Sequence, residues 1–155
     1  MSTRAPRPVH PPAPARIVVG VDGSPASLTA LHWAAGEAAR RHAEILAVRS
    51  WHGRRDRLIA SLDRERERAR RALAADIRAV LGAEPPVRVR QELAFGNPVR
   101  TLLHLAAKAD LLVLGDAPRP RGPVRTACLR MSACPVALIP PTPSDRPVSR
   151  PASAP

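Results

Sequence analysis

Short apolar runs alternate with longer stretches of helical spacing along this chain. Ile17-Val-Val-Gly-Val21 is almost wholly β-branched, the pattern of a strand buried on both faces. Ser24 then offers an N-cap and Pro25 a first helical position. Leu28, Leu31, Ala34, Ala35 and Ala38 recur at helical spacing, which predicts a helix to about Arg41. Ile45–Val48 reads as a second strand. From Arg57 to Leu81, residues Leu58, Leu62, Ala69, Leu73, Ile77 and Val80 form one stripe of a long helix. Its other face carries Asp63/Arg66 and Glu67/Arg71 at ion-pair spacing, and Gly82 is placed to end it. Val87–Leu93 alternates apolar with polar, as a half-exposed edge strand does. Pro98 opens a helix carrying Leu102, Leu103, Leu105 and Ala106, and Leu111–Leu114 is a fourth, fully apolar strand. A last helix over about Val124–Met131 and a strand at Val136–Ile139 complete the series. The order βαβαβαβαβ predicts a doubly wound, Rossmann-like five-stranded parallel sheet with helices on both faces.

Composition changes this picture at the two ends. Five prolines among residues 1–15, with Val9 the one large apolar group, predict a disordered tail. Residues 141–155, rich in Pro and Ser, predict another, which leaves a folded domain over 16–140. The apolar runs are far too short to span a membrane, and the first residues lack a secretory h-region. Cys128 and Cys134 make no disulfide framework, and the expected setting is the cytoplasm.

The chain has 155 residues and a net charge of +12, with Arg supplying nearly all the cations. A basic accessory protein for nucleic acid is therefore one reading. The position of the charges argues against it. Arg54–Arg78 mixes nine Arg with five acids, the mark of a solvated, salt-paired face. Aromatic residues number only three (Trp33, Trp51 and Phe95), so a base-stacking platform is lacking. Nucleic acid is not the expected partner.

In doubly wound sheets, ligands bind beyond the carboxyl ends of the strands. Two apolar strands end in candidate chemistry. The first runs into Val21-Asp22-Gly23-Ser24-Pro25, the fourth into Gly115-Asp116. Asp22 is able to accept from a sugar or hold a metal, Gly23 permits a tight turn, and amides after Ser24 favour anions. The same residues also make an ordinary capped strand-to-helix turn.

Several blocks together resemble the universal stress protein family. They are Arg16-Ile-Val-Val-Gly-Val-Asp-Gly-Ser-Pro-Ala-Ser, Ala30-Leu-His-Trp-Ala-Ala, Glu37-Ala and Gly96-Asn-Pro. Ala109-Asp-Leu-Leu-Val-Leu-Gly115 and Cys134-Pro-Val-Ala-Leu-Ile-Pro140 complete the set, so the resemblance covers nearly all of 16–140. It implies the strand order 3-2-1-4-5 and a cytoplasmic homodimer joined through the last strand. It also implies an adenine-nucleotide site, ATP in many members, with Val48 where an apolar side chain packs on adenine.

In ATP-binding members the fourth strand leads into a Gly-x2-Gly-x9-Gly-Ser/Thr loop that cradles phosphates. Here Gly115 matches the first glycine, Pro118 stands at the second, and Gly122 best matches the third. Pro123 follows where Ser or Thr belongs. Gly115 and Gly122 lie seven positions apart against thirteen in the pattern, so about six residues are missing. Proline donates no N–H, so Pro118, Pro120 and Pro123 remove donors from a phosphate nest. Arg119, Arg121 and Arg125 remain as charged forks for a phosphate, or as a solvated basic loop.

The five histidines and two cysteines show no metal-ligand spacing. No P-loop, Gly-x-Ser-x-Gly elbow or paired-carboxylate motif is present. The sequence thus predicts a noncatalytic stress-response or regulatory module, acting on an unidentified protein client, with ATP binding weak or lost. A competent adenine-nucleotide binder is the alternative within the family. The candidate binding residues are Val21, Asp22, Gly23, Ser24, Val48, Gly115, Gly122, Arg119 and Arg121.

Overall fold

A computed structural model describes residues 12–53, 59–117 and 122–142. The elements follow the expected alternation: β1 (Arg16–Gly20), α1 (Pro25–Arg41), β2 (Glu44–Trp51), α2 (Ile59–Leu81), β3 (Val89–Phe95), α3 (Pro98–Ala106), β4 (Leu111–Gly115), α4 (Pro123–Met131) and β5 (Val136–Ile139). All the strands are parallel, in the order β3-β2-β1-β4-β5.

The continuous apolar strands are explained by burial on both faces. Ile17, Val19 and Val21 face one way with Ile45, Ala47, Leu111 and Val113, and they pack under α1 and α2 through Leu31, Ala34, Leu73 and Ile77. Val18 faces the other way with Leu46, Val48, Leu112 and Leu114, and these meet Leu102 and Ala106 of α3 and Cys128 of α4. Period-two alternation within one apolar run thus feeds two cores. β3 lies at a sheet edge, as its mixed pattern predicts.

Several boundaries move. β1 covers Arg16–Gly20 rather than Ile17–Val21, β2 starts at Glu44 and runs on to Trp51, β3 covers Val89–Phe95 rather than Val87–Leu93, and β4 reaches Gly115. β2 and β3 pair through Trp51 and Phe95, whose rings meet edge-on at 4.8 Å and hold the ladder together past its apolar core. α4 starts one residue early, with Pro123 in the first turn where its missing N–H costs nothing. Arg57 and Leu58, expected in α2, lie outside the described residues. So do most of the two expected tails; Ala15 packs against the core and its carbonyl accepts from Glu44 N–H at 2.8 Å.

Glu44 is a buried charge at the opposite end of the sheet from the crevice described below, with its side chain 6% exposed. Arg16 meets it with Nη2 at 2.8 Å and Nε at 3.0 Å, while Arg88 and Arg90 stand at 3.9 Å. A carboxylate this buried requires such partners, because an unpaired one would cost several kcal/mol.

Candidate functional site

β1 and β4 are neighbours in space, yet α1 leaves β1 on one face while α4 follows β4 on the other. Their carboxyl ends therefore diverge around a crevice of about 430 Å³. Its floor is apolar: Val21, Val48, Leu102 and Leu114. Its rim is polar: Asp22, Ser24 and Ser27 from the β1–α1 turn, Ser50 and His52 from β2 and beyond. α3 brings Pro98, and the α4 start brings Gly122, Pro123, Val124 and Arg125. The amino ends of three helices thus converge on it, and each has proline in its first turn.

The β1–α1 turn is tightly tied. Asp22 accepts from the Ser24 backbone N–H at 2.9 Å, and its own N–H donates to Ser27 Oγ at 3.3 Å. Ser24 Oγ caps α1 by accepting from Ser27 N–H at 3.3 Å. Burial pushes the Asp22 carboxyl up, but hydrogen bonds from Ser24 and Ser27 outweigh it and hold the group below its ordinary value. Arg49 spans the turn from above. Its Nη1 donates to Asp76 of α2 at 2.7 Å and its Nη2 to the Asp22 carbonyl at 3.3 Å. Gly23, at φ +85°, passes beneath that pair; a Cβ there would stand 3.2 Å from Arg49 Nη2.

Across the crevice, Gly115 is where β4 touches α1. A Cβ at Gly115 would fall 2.4 Å from the Ala26 carbonyl carbon and 2.7 Å from Ser27 N. The close approach, rather than an unusual φ, demands glycine here. Asp116 follows; its N–H donates to Ile139 O at 2.7 Å, and its carboxylate meets Arg125 Nη1 at 2.6 Å. α4 begins at Gly122 with no side-chain cap.

Of the residues expected from the sequence, the crevice gathers Val21, Asp22, Ser24, Val48, Gly115 and Gly122. Gly23 shapes the turn without lining the crevice. Arg119 and Arg121 lie outside the described residues. Ser27, Ser50, His52 and Val124 were missed. Val48, Ser50 and His52 are two apart, so a longer β2 would have placed all three on one face. Among the described residues, no group of three His, Cys, Asp or Glu is placed to hold a metal ion. No helix among them is long and apolar enough to cross a membrane. A dry floor with a polar rim suits a small ligand with one apolar, planar end and one polar end.

Residues 15–140 match the universal stress protein family as a sequence. The chain belongs to that family. Two universal stress proteins of Mycobacterium tuberculosis are similar to it. One is 30% identical over 145 residues, 79% of this chain and 47% of its own length. The other is 32% identical over 141 residues, 86% of this chain and 52% of its own length. The chain thus spans about half the length of the curated relatives it matches. A universal stress protein of Lactobacillus plantarum superposes with a TM-score of 0.64 at 25% identity, over 81% of this chain and 97% of its own. A universal stress protein solved in complex with cAMP superposes with a TM-score of 0.58 at 25% identity, over 84% and 99%. An Arabidopsis thaliana family member solved with AMP bound gives 0.61 at 17% identity, over 88% and 98%, a likeness of fold.

Proposed function

We propose that this chain is a noncatalytic regulatory domain of the universal stress protein family, working in the cytoplasm on a protein client. Its crevice takes the nucleoside end of an adenine nucleotide, with the base on Val48 and the sugar near Asp22. ATP binds weakly or not at all. The observation that carries this reading is the start of α4. There Gly122 at the N-cap has no side chain to cap the helix, and Pro123 directly after it contributes no N–H. The shortened segment before it removes about six further residues from the phosphate cradle expected of ATP binders. What supports the nucleoside half is the intact crevice, with its apolar floor and serine-rich rim. The cAMP held by a similar family member supports a ligand with a single phosphate.

A homodimer through β5 belongs to the same proposal. β5 is an edge strand with every residue half-exposed, and Leu129 and Met131 of α4 stand exposed. The nucleic-acid alternative is disfavoured by the ion pairs of Arg16, Arg40, Arg41, Arg49, Arg70, Arg71 and Arg125 with acids of the chain itself.

The test is nucleotide extracted from the purified protein and identified by mass. A nucleoside monophosphate or an empty crevice is expected. ATP recovered at near one equivalent, or ATP hydrolysis that scales with protein, overturns the proposal.

A further inference from the structure

Among the described residues, one arginine lines the crevice, and its placement is at odds with its helix. Arg125 is the third residue of α4. A helix start carries partial positive charge, and acids rather than arginine belong there. α4 has no acid in its first turn to offset it. The offset comes instead from Asp116, just past the end of β4, at 2.6 Å from Arg125 Nη1. Asp116 is itself fixed by its N–H to Ile139 O. Both side chains are about one-third exposed; Arg125 lines the crevice, and Asp116, one residue past the lining Gly115, backs it. Local conflicts of this kind tend to lie at functional positions.

We infer that Asp116 and Arg125 form a charge-counting pair that sets how many phosphates the crevice accepts. This rests on the reading of the crevice as a nucleoside site. Arg125 supplies the anion contact in place of the missing cradle, with the first-turn amides of Val124 and Arg125, which have no acceptor within the helix, beside it. Asp116 keeps a fixed negative charge against that contact. One phosphate shares Arg125 with Asp116. Each further phosphate adds like charge beside the Asp116 carboxylate, and among the described residues no second arginine lines the crevice to meet it. The preferred ligand class is therefore a nucleoside carrying one phosphate, as a monoester or a cyclic diester. The triphosphate is rejected by repulsion as well as by the lost amides.

The experiment is a charge series. Adenosine, AMP, ADP and ATP are titrated against the wild-type chain, Asp116→Asn and Arg125→Gln at one ionic strength. Asp116→Asn keeps the shape and removes the charge. It is expected to raise ATP affinity relative to AMP by about tenfold and leave adenosine unchanged. Arg125→Gln is expected to weaken AMP about tenfold and, again, to spare adenosine. A purely structural role for the pair would move adenosine along with the nucleotides. An ATP-to-AMP ratio that stays within about twofold of wild type in Asp116→Asn, while adenosine binds, overturns the charge-counting pair alone. Failure of adenosine to bind the wild-type chain overturns the nucleoside reading, and this inference with it.

Discussion

Replacing Gly115 with alanine probes the contact on which the crevice depends. The added methyl would stand 2.4 Å from Ala26 C, 2.5 Å from Ala26 O and 2.7 Å from Ser27 N. Carbon contacts in a packed interior lie near 3.5–4 Å, so the overlap is about 1 Å. The atoms it meets are backbone, which has no rotamer to turn aside. Relief requires the first turn of α1 to lift about 1 Å off β4, which exposes Ala26 and Ser27, both buried. Overpacking of this kind costs about 1–3 kcal/mol and more where backbone must move, so Gly115→Ala is placed at about 3 kcal/mol. For a domain of this size that is a fall in Tm of about 10 °C. Gly36→Ala is the matched control. Gly36 is exposed within α1 and a Cβ there meets nothing within 4 Å. The same change at Gly36 is expected to stabilise by about 0.5–1 kcal/mol, because glycine is a poor helix former. Urea unfolding followed by Trp33 and Trp51 fluorescence measures both. Opposite signs are expected. A Gly115→Ala variant within about 1 kcal/mol of wild type would refute the close approach of β4 to α1.

Three further outcomes follow from the geometry. Arg49→Ala removes both the Asp76 pair and the bond to the Asp22 carbonyl, and is expected to cost about 1–3 kcal/mol in urea unfolding and to weaken adenosine binding; unchanged binding would detach Arg49 from the turn. Asp22 sits below its ordinary value of 3.8 in the folded chain, so its contribution is full above that pH and is lost as pH falls through the lower, folded value. The stability gap between wild type and Asp22→Asn should therefore narrow from pH 6 to pH 2, and a constant gap contradicts the assignment. Burial raises the Cys128 thiol, so in the native chain a maleimide should label half-buried Cys134 well before Cys128, as read by peptide mass.

Much of the sheet is legible because its central strands are buried twice over. Ile17–Val19 and Leu111–Leu114 must be apolar at successive positions to serve both layers, and that leaves a run no helix would need. The helix starts are legible for a different reason: Ser24-Pro25 and Asn97-Pro98 pair a cap with a first-turn proline. The far ends of β2 and β3 are not. Arg49, Ser50 and Trp51 look like a loop, yet they extend the strand by pairing with Leu93, Ala94 and Phe95, where the Trp51 and Phe95 rings meet. The missed lining residues Ser50 and His52 trace to that one boundary. α1 ends on His42 at φ +51°, where no glycine announces the turn.

Within the site, the Asp22 turn was readable from Asp-Gly-Ser-Pro, but its lock was not. Arg49 and Asp76 are far apart in sequence, and only α2 packing on β2 brings them over Gly23. Gly115 was read as the first glycine of a phosphate loop. The structure gives it a steric duty to α1 as well, and that duty persists whether or not the loop still binds phosphate. The Asp116–Arg125 pair was invisible because the two residues flank the very segment that departs from the family pattern.

Isothermal titration of the wild-type chain with AMP and with Mg²⁺·ATP, side by side, separates a nucleoside half that survives from a triphosphate half that is lost. AMP is expected to bind at least tenfold more tightly than ATP, with the ATP dissociation constant weaker than about 100 μM. A low-micromolar ATP dissociation constant would contradict that expectation, since the proline-substituted loop would then still hold a triphosphate.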